Sequence, residues 1–323
     1  MTSLTSRRGF TLVELLVAML LLVIVMGGIY KLLNNTQRIS RAQAERVDMQ
    51  SNMRAGSLIL PAELREIAYD SVQDALANTN VPDIQMATGD SIRFRAMRGT
   101  GIICQVNTGN NTQLTISTGI GYSLLRNLTA NDSLLIFVDG NRGSVTDDRW
   151  IARQITNVTA PAPNTCPVGW PWGRSGFTVT ISGWAATVNL PNGGSFQDLT
   201  VRADSVTAGS PVKFFEVMRY GIYQNAAGKN MLGAERLNYS GAREPVLGPL
   251  AASGFHLTYY DSTGAVITPS TAPIRSRIRT IRISTLAASD QNLSSSGAGG
   301  PRQVVDSVVT TVALRNSITR LTP

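Results

Sequence analysis

The sequence predicts an α+β protein in which a long amino-terminal hydrophobic α-helix precedes a mainly antiparallel β head. The first reason is an unbroken apolar run from Phe10 to Tyr30. The second is a helix-compatible stretch after that run, which contains no proline until Pro61. The third is a change beyond residue 88 to short alternating runs separated by Gly, Asn, Asp and Pro, a pattern typical of strands and turns.

The apolar run FTLVELLVAMLLLVIVMGGIY contains 21 residues, a single charge and no proline. At 1.5 Å per residue, a helix of this length reaches about 32 Å, which is enough to cross the hydrocarbon core of a bilayer. The single charge, Glu14, would cost roughly 2.5–3.5 kcal/mol at the bilayer centre. The run therefore predicts one transmembrane helix, and Glu14 requires a compensating partner.

The helix is expected to continue beyond the membrane to about residue 69. Apolar side chains recur at helical spacings in this stretch, so that one face can pack while the arginines and acids face water; they are Ile39, Ala42, Met49, Met53 and Leu60. Gly56 and Pro61 are positions where the helix is expected to bend or restart.

The remainder of the chain reads as a β-rich head. Nine segments combine β-branched and aromatic residues with alternating polarity, and polar turns bound them. In chain order they are SIRFRAM, TQLTIST, SLLIFV, RWIARQITNV, FTVTI, VKFFEVMRYGIY, FHLTYY, IRTIRIST and QVVDSVVTTVALR.

The chain of 323 residues carries a net charge of +8, but its arginines are scattered. Arg275, Arg277 and Arg279 alternate, as do Arg93 and Arg95, so that each set would share one face of a strand. Such faces could contact phosphates, yet they lack interleaved aromatic residues for stacking single strands. A solvated strand face is the favoured interpretation, and nucleic acid is considered as a partner but not favoured.

The sequence contains no recognisable catalytic or metal-binding motif. His256 is the single histidine and lies in an alternating strand pattern without a partner motif. The acidic turn from Asp139 to Asp148 resembles a calcium loop, but Arg142 interrupts it and Trp150 stands where a bidentate Glu is needed. We therefore expect no enzyme, no catalytic residue, no cofactor and no metal.

The segment Arg7-Arg8-Gly9, followed by Phe10-Thr11-Leu12-Val13-Glu14, resembles the class III leader of type IV prepilins and type II secretion pseudopilins. The resemblance implies that a prepilin peptidase in the inner membrane cuts between Gly9 and Phe10 and methylates the new amino group. In a filament, Glu14 of an entering subunit would then lie near the Phe10 ammonium of a neighbour. The alternative is an uncleaved signal anchor.

From Val212 onward, the order of strands resembles the carboxy-terminal half of PilW/PulJ-like minor pilins. The segments that carry this resemblance are FFEVMRYGIY, MLGAERLNY, FHLTYYDSTGAVI, IRTIRIST and VVTTVALRN. The two resemblances imply a pilin-like fold with a leader at 1–9, a transmembrane and stalk helix at 10–69, an insertion or first part of the head at 70–205, and a carboxy-terminal part at 206–323.

A subunit of this kind would sit in the inner membrane, with its head periplasmic or extracellular, and would contact other pilin or pseudopilin subunits. The size of the head favours a minor subunit, near the tip of a type IV pilus or a type II secretion pseudopilus. The alternative is a tip adhesin or DNA-uptake subunit on the same stem.

The two cysteines, Cys104 and Cys166, are a candidate disulfide pair if the head lies outside the cytoplasm. A bridge that closes about 60 residues would contribute on the order of 4 kcal/mol in the chain-entropy model.

Overall fold

The chain forms two compact units in a computed structural model. The first comprises Met1–Ser51 with Ser289–Val304, and the second comprises Asn52–Ala288 with Val305–Pro323. The structure describes residues 11–67, 72–74, 79–107, 112–119, 121–124, 126–138, 149–182, 187–189, 195–197, 206–239, 243–289, 293–294 and 301–314.

Within the described residues the secondary structure is two helices and nineteen strands. The helices are α1 (Leu12–Arg65) and α2 (Ala272–Arg275). The strands are β1 (Val72–Asp74), β2 (Thr79–Val81), β3 (Ile84–Ala87), β4 (Ser91–Val106), β5 (Gln113–Ser117), β6 (Ser123–Leu124), β7 (Ser133–Val138), β8 (Arg149–Val158), β9 (Gly176–Ile181), β10 (Thr187–Asn189), β11 (Ser195–Gln197), β12 (Pro211–Gln224), β13 (Asn230–Arg236), β14 (Glu244–Tyr260), β15 (Val266–Ile267), β16 (Thr280–Ala288), β17 (Leu293–Ser294), β18 (Pro301–Arg302) and β19 (Val305–Ala313). The α+β prediction is confirmed.

Helix α1 is continuous across both positions where a bend was expected. Gly56 is buried, and a Cβ added there would lie 2.9 Å from three side-chain carbons of Leu247 in β14. Glycine is therefore needed for close packing of the helix on the sheet, because any side chain would force the two apart. Met53, Leu60 and Leu64 are buried along the same stretch.

One large antiparallel sheet forms most of the second unit. Its open part runs in the order β19-β16-β14-β13-β12, and β4 pairs with the other side of β12 along Ser91–Ile102. The order reflects a meander, since the pairs β12 with β13, β13 with β14 and β16 with β19 each join consecutive long strands. All of these pairings are antiparallel.

Six strands of the same sheet close into a ring. Strand β12 pairs with both β4 and β7, and the remaining contacts run β7-β8-β9-β5-β4. Alternate residues of these strands form one buried apolar cluster, as expected when one face of each strand points inward. The cluster comprises Ile103, Leu114, Ile116, Leu134, Ile136, Val138, Ile151, Ile155, Phe177, Val179, Ile181, Val206, Val212 and Phe214.

A β-bulge in β4 directs Arg98 toward a buried ion network. Residues Phe214 and Phe215 of β12 oppose Gly99 and Met97, which leaves Arg98 as the extra residue. The Arg98 guanidinium donates to Glu216 of β12 and, at 2.9 Å, to Glu63 near the end of α1. The bulge residue therefore connects the helix to the middle of the sheet.

The network extends from Glu216 into the loop before β7. Arg126 donates to Glu216 at 2.9 Å and to Asp132 at 2.9 Å. Asp132 also accepts the Tyr239 hydroxyl at 2.8 Å. These carboxylates raise the pKa of the Arg126 guanidinium above its ordinary value, with the hydrogen bond to Asp132 as the largest cause. Every charge in this chain of contacts has an opposite partner.

Two expectations about arginines were wrong. Arg95 is 0% exposed and donates to Asp83 at 2.7 Å, so it does not lie on a solvated strand face. Arg275 belongs to α2, and Arg277 and Arg279 precede β16, so these three do not alternate on a strand. Pro273 explains the difference for Arg275, because proline fixes φ and favours the first turn of a helix.

Glu216→Gln is expected to lower the free energy of unfolding by about 3 kcal/mol, because Arg98 and Arg126 would each lose a charged partner in a buried site. The measurement is urea unfolding of the full chain in detergent. Glu235→Gln is the matched control: Glu235 forms a more exposed pair with Arg243 at 3.2 Å, so its loss should cost less than about 1 kcal/mol. Equal losses in the two variants would contradict a dominant role of the network.

Candidate functional site

The candidate site is the amino-terminal segment that contains the leader motif and the start of α1. Arg7, Arg8, Gly9 and Phe10 lie outside the described residues. The predictions for these four positions therefore stay predictions. Glu14 lies within the described part, in the first turn of α1.

Thr11 and Glu14 together form the start of the helix. The backbone N–H of Glu14 donates to the Thr11 hydroxyl oxygen at 3.3 Å, and the N–H of Leu15 donates to the Thr11 carbonyl at 3.2 Å. This is N-terminal capping, which satisfies backbone donors that have no partner inside the helix. Sequence reasoning missed it, although a Thr followed three residues later by Glu is the signature of a capping box.

The Glu14 side chain is exposed in this isolated chain. A carboxylate in the first turn is favoured by the positive end of the helix dipole. Among the residues that the structure describes, the Glu14 carboxylate forms no hydrogen bond and no ion pair.

The apolar part of α1 forms a wholly exposed surface in the isolated chain. Its most apolar window has a mean hydropathy of 2.8 and no buried residue, so the helix is long and apolar enough to cross a membrane. Leu12 is 78% exposed and Tyr30 is 72% exposed. An apolar surface of this extent is unfavourable in water, so it requires lipid or other apolar helices around it.

Cys104 and Cys166 are joined in the structure, with a Cα–Cα distance of 5.6 Å. Cys104 is the extra residue of a second bulge in β4, because Ile103 and Gln105 oppose the adjacent residues Ile116 and Thr115. Cys166 lies between β8 and β9. The bridge thus fastens a long loop to the ring of strands.

Neither a catalytic role of the single histidine nor a metal site in the head has geometric support in the described residues. His256 is exposed in β14, and its ring lies beside Gly89. Within the described ranges, no group of three His, Cys, Asp or Glu side chains could hold a metal ion. The acidic turn from Asp139 to Asp148 lies outside those ranges.

In the comparison with known proteins, a family model matches the amino terminus of the chain. The model of the prokaryotic N-terminal methylation motif matches residues 4–30, a span that contains Gly9, Phe10 and Glu14. No significant match was found among curated proteins or among solved structures. The family with this motif is structural, and the matched residues include the start of α1, a helix long and apolar enough to cross a membrane. The amino terminus therefore carries the methylation motif of the type IV prepilin-like family, and the helix that begins within it is long and apolar enough to cross a membrane.

Proposed function

We propose that this chain is a minor pilin or pseudopilin of the PilW/PulJ-like kind, a structural subunit of a type IV pilus or a type II secretion pseudopilus. The observation that carries the proposal is the methylation motif at residues 4–30, which continues directly into α1. In this proposal the basic leader with Arg7 and Arg8 stays on the cytoplasmic side. The prepilin peptidase cuts between Gly9 and Phe10 and methylates the Phe10 amine.

Cleavage would create a partner that Glu14 lacks among the described residues. A free amino group at Phe10 is cationic, and a carboxylate in hydrocarbon is tolerated when it has an opposite charge nearby. Thr11 capping holds Glu14 in the first helical turn, so the carboxylate stays close to the new terminus. The Phe10 ammonium of a neighbouring subunit would then pair with Glu14 during assembly.

The exposed apolar surface of α1 is suited to two environments in succession, first membrane lipid and then the helices of other subunits. Before assembly, inner-membrane lipid would cover the residues of the most apolar stretch. After assembly, the helices of other subunits would replace the lipid. Because lipid tails are as apolar as leucine, this exchange costs little, and a specific polar pair such as Glu14 with Phe10 can direct it.

The head favours a minor position in the filament. Beyond the stalk, about 250 residues would have to be accommodated at each step of a thin fibre if the subunit repeated. A place near the tip, with a role in starting assembly, removes that constraint. The proposed head is periplasmic or extracellular, comprises the parts 70–205 and 206–323, and acts by contact with other subunits rather than by catalysis.

Mass spectrometry of the chain from cells with an active prepilin peptidase should find a mature terminus at N-methylated Phe10. Gly9→Val should retain Met1, because a branched side chain replaces the small residue at the cleavage site. Ser3→Val is the matched control within the leader and should be cleaved normally. An intact Met1 terminus in the unaltered chain would contradict prepilin processing.

Glu14→Leu should insert into the membrane at least as well as the unaltered chain, because it removes a charge from hydrocarbon. It should fail to co-purify with other pilin subunits, since the pair with a neighbour's Phe10 is lost. Glu14→Gln keeps the shape and tests the charge alone, whereas Asp48→Asn removes an exposed acid farther along α1 and should assemble normally. Assembly of Glu14→Leu at the unaltered level would overturn this role of Glu14.

Cys104 and Cys166 should resist alkylation in material from the periplasm until a reductant is added. Cys104→Ser with Cys166→Ser should lower stability by up to about 4 kcal/mol, because the unfolded chain regains the freedom of a long loop. The sequence separation of 62 residues gives this large effect. Two freely alkylated thiols before reduction would contradict an extracytoplasmic head.

A further inference from the structure

Three arginines converge on one side of the β3-β4-β12 part of the sheet, and we call them the arginine cluster: Arg93, Arg219 and Arg275. Arg93 of β4 and Arg219 of β12 are direct partners in the antiparallel register. Directly paired residues on adjacent strands have Cβ atoms about 5 Å apart, and like charges in that position are destabilising. A pair of this kind therefore needs an explanation.

Arg275 joins this pair from α2. Its Nε donates to the carbonyl oxygen of Ile84 in β3 at 3.1 Å, and its Nη1 donates to the carbonyl of Ser270 at 3.1 Å. Gln85, the next residue of β3, lies at a bulge in which Gln85 and Met86 both oppose Arg93. The backbone contacts of Arg275 thus hold a third guanidinium beside Arg93.

Arg93 and Gln85 have unused hydrogen-bonding groups at this place. The Arg93 Nε is buried without a hydrogen-bond partner, and so are both the Oε1 and the Nε2 of the Gln85 amide. Within the part of the chain that the structure describes, no carboxylate forms an ion pair with Arg93. Buried polar groups almost always have partners, so the two unpartnered donors, the Arg93 Nε and the Gln85 Nε2, point to a missing acceptor beside the three cations.

The nearest acid only partly offsets the cluster. Glu235 approaches Arg219 at 4.0 Å, but it is shared with Arg243, which lies closer at 3.2 Å. Arg219 also donates through Nε to the Ser91 hydroxyl at 3.3 Å, a neutral partner. The cluster therefore keeps an excess of positive charge.

Electrostatic repulsion within the cluster is consistent with the pKa directions. Burial and then the charge of Arg219 lower the pKa of the Arg93 guanidinium. Burial and then the charge of Arg93 lower the pKa of Arg275. Arginine nevertheless stays protonated in proteins, so repulsion cannot be relieved by losing a proton. A bound anion would relieve the repulsion instead.

We propose that the arginine cluster is a binding site for a phosphate group, with Arg93 at its centre and the Gln85 amide as a neutral donor. The guanidinium fork matches oxyanions through paired N–H donors, and three such groups suit a doubly charged tetrahedral anion better than a single carboxylate. All three arginines are half-buried, so the site is sheltered but reachable from solvent. The site is independent of the proposed role in filament assembly.

The test is a titration of the full chain in detergent with sodium phosphate, at an ionic strength held constant with chloride. Saturable binding by calorimetry, with a rise in the unfolding midpoint, is expected. Arg93→Gln should weaken binding by about tenfold, the effect of losing one charge-assisted contact. Arg282→Gln, which removes an exposed arginine from β16, is the matched control and should bind as the unaltered chain does.

The unfolding midpoint measured without phosphate distinguishes a binding role of Arg93 from a structural one. Arg93→Gln should unfold at the same midpoint or higher in chloride alone, because it removes repulsion from Arg219 and Arg275. If Arg93→Gln fails to fold, Arg219→Gln provides a second variant for the same binding and stability measurements. No phosphate binding by the unaltered chain, or equal binding by the arginine variants, would overturn the proposal.

Two further ligands identify the source of the phosphate group. Dioctanoyl phosphatidic acid that binds more tightly than inorganic phosphate, while dioctanoyl phosphatidylcholine does not bind, supports a lipid headgroup. Equal affinity for phosphatidic acid and inorganic phosphate supports a soluble phosphate. Binding of succinate in place of phosphate would overturn the phosphate assignment and indicate a carboxylate ligand.

Discussion

The ion network around Glu216 is the constraint on which the packing of the second unit depends. Glu216 is 1% exposed and accepts from two guanidinium groups, those of Arg98 and Arg126. A buried carboxylate is costly unless its charge and its lone pairs are satisfied, so the elements that carry both arginines must meet at this point. Because Arg98 also pairs with Glu63, the end of α1 is held to the same point.

The bulge at Arg98 explains how one pair of strands serves two parts of the sheet. On one side of the bulge, β4 and β12 lie in the open meander, where Phe94 stacks on Tyr220. On the other side, β12 turns toward β7 and β4 toward β5, which closes the ring. Bulges bend a strand and increase its twist, so the extra residue supplies both the curvature and a charged side chain.

Sequence patterns predicted the elements of this fold better than their pairing. A continuous apolar run predicted α1, and alternation predicted nine of the ten described strands of five or more residues, because both signals are local. The tenth, β13, was expected only from the resemblance to minor pilins. Ring closure depends on the pairing of β4 with β12, which lie more than 100 residues apart in sequence, and no local pattern encodes such a pair. The burial of Arg95 could not be predicted either, since it depends on Asp83 being brought beside it.

The candidate site at the amino terminus was predicted from a motif rather than from geometry. The surroundings of its carboxylate, Glu14, differ from those of the buried carboxylates in the head. Inside the second unit, Glu216 and Asp132 each find cationic or hydroxyl partners from distant parts of the chain. Among the described residues, Glu14 has its place at the capped start of α1, where its backbone N–H donates to the Thr11 hydroxyl oxygen. The helix dipole favours a carboxylate in the first turn, but that effect is small beside the cost of a charge in hydrocarbon. Under the proposed function, the partner of Glu14 is the cationic terminus generated at Phe10 of a neighbouring subunit, which would offset the cost of a carboxylate in an apolar surface.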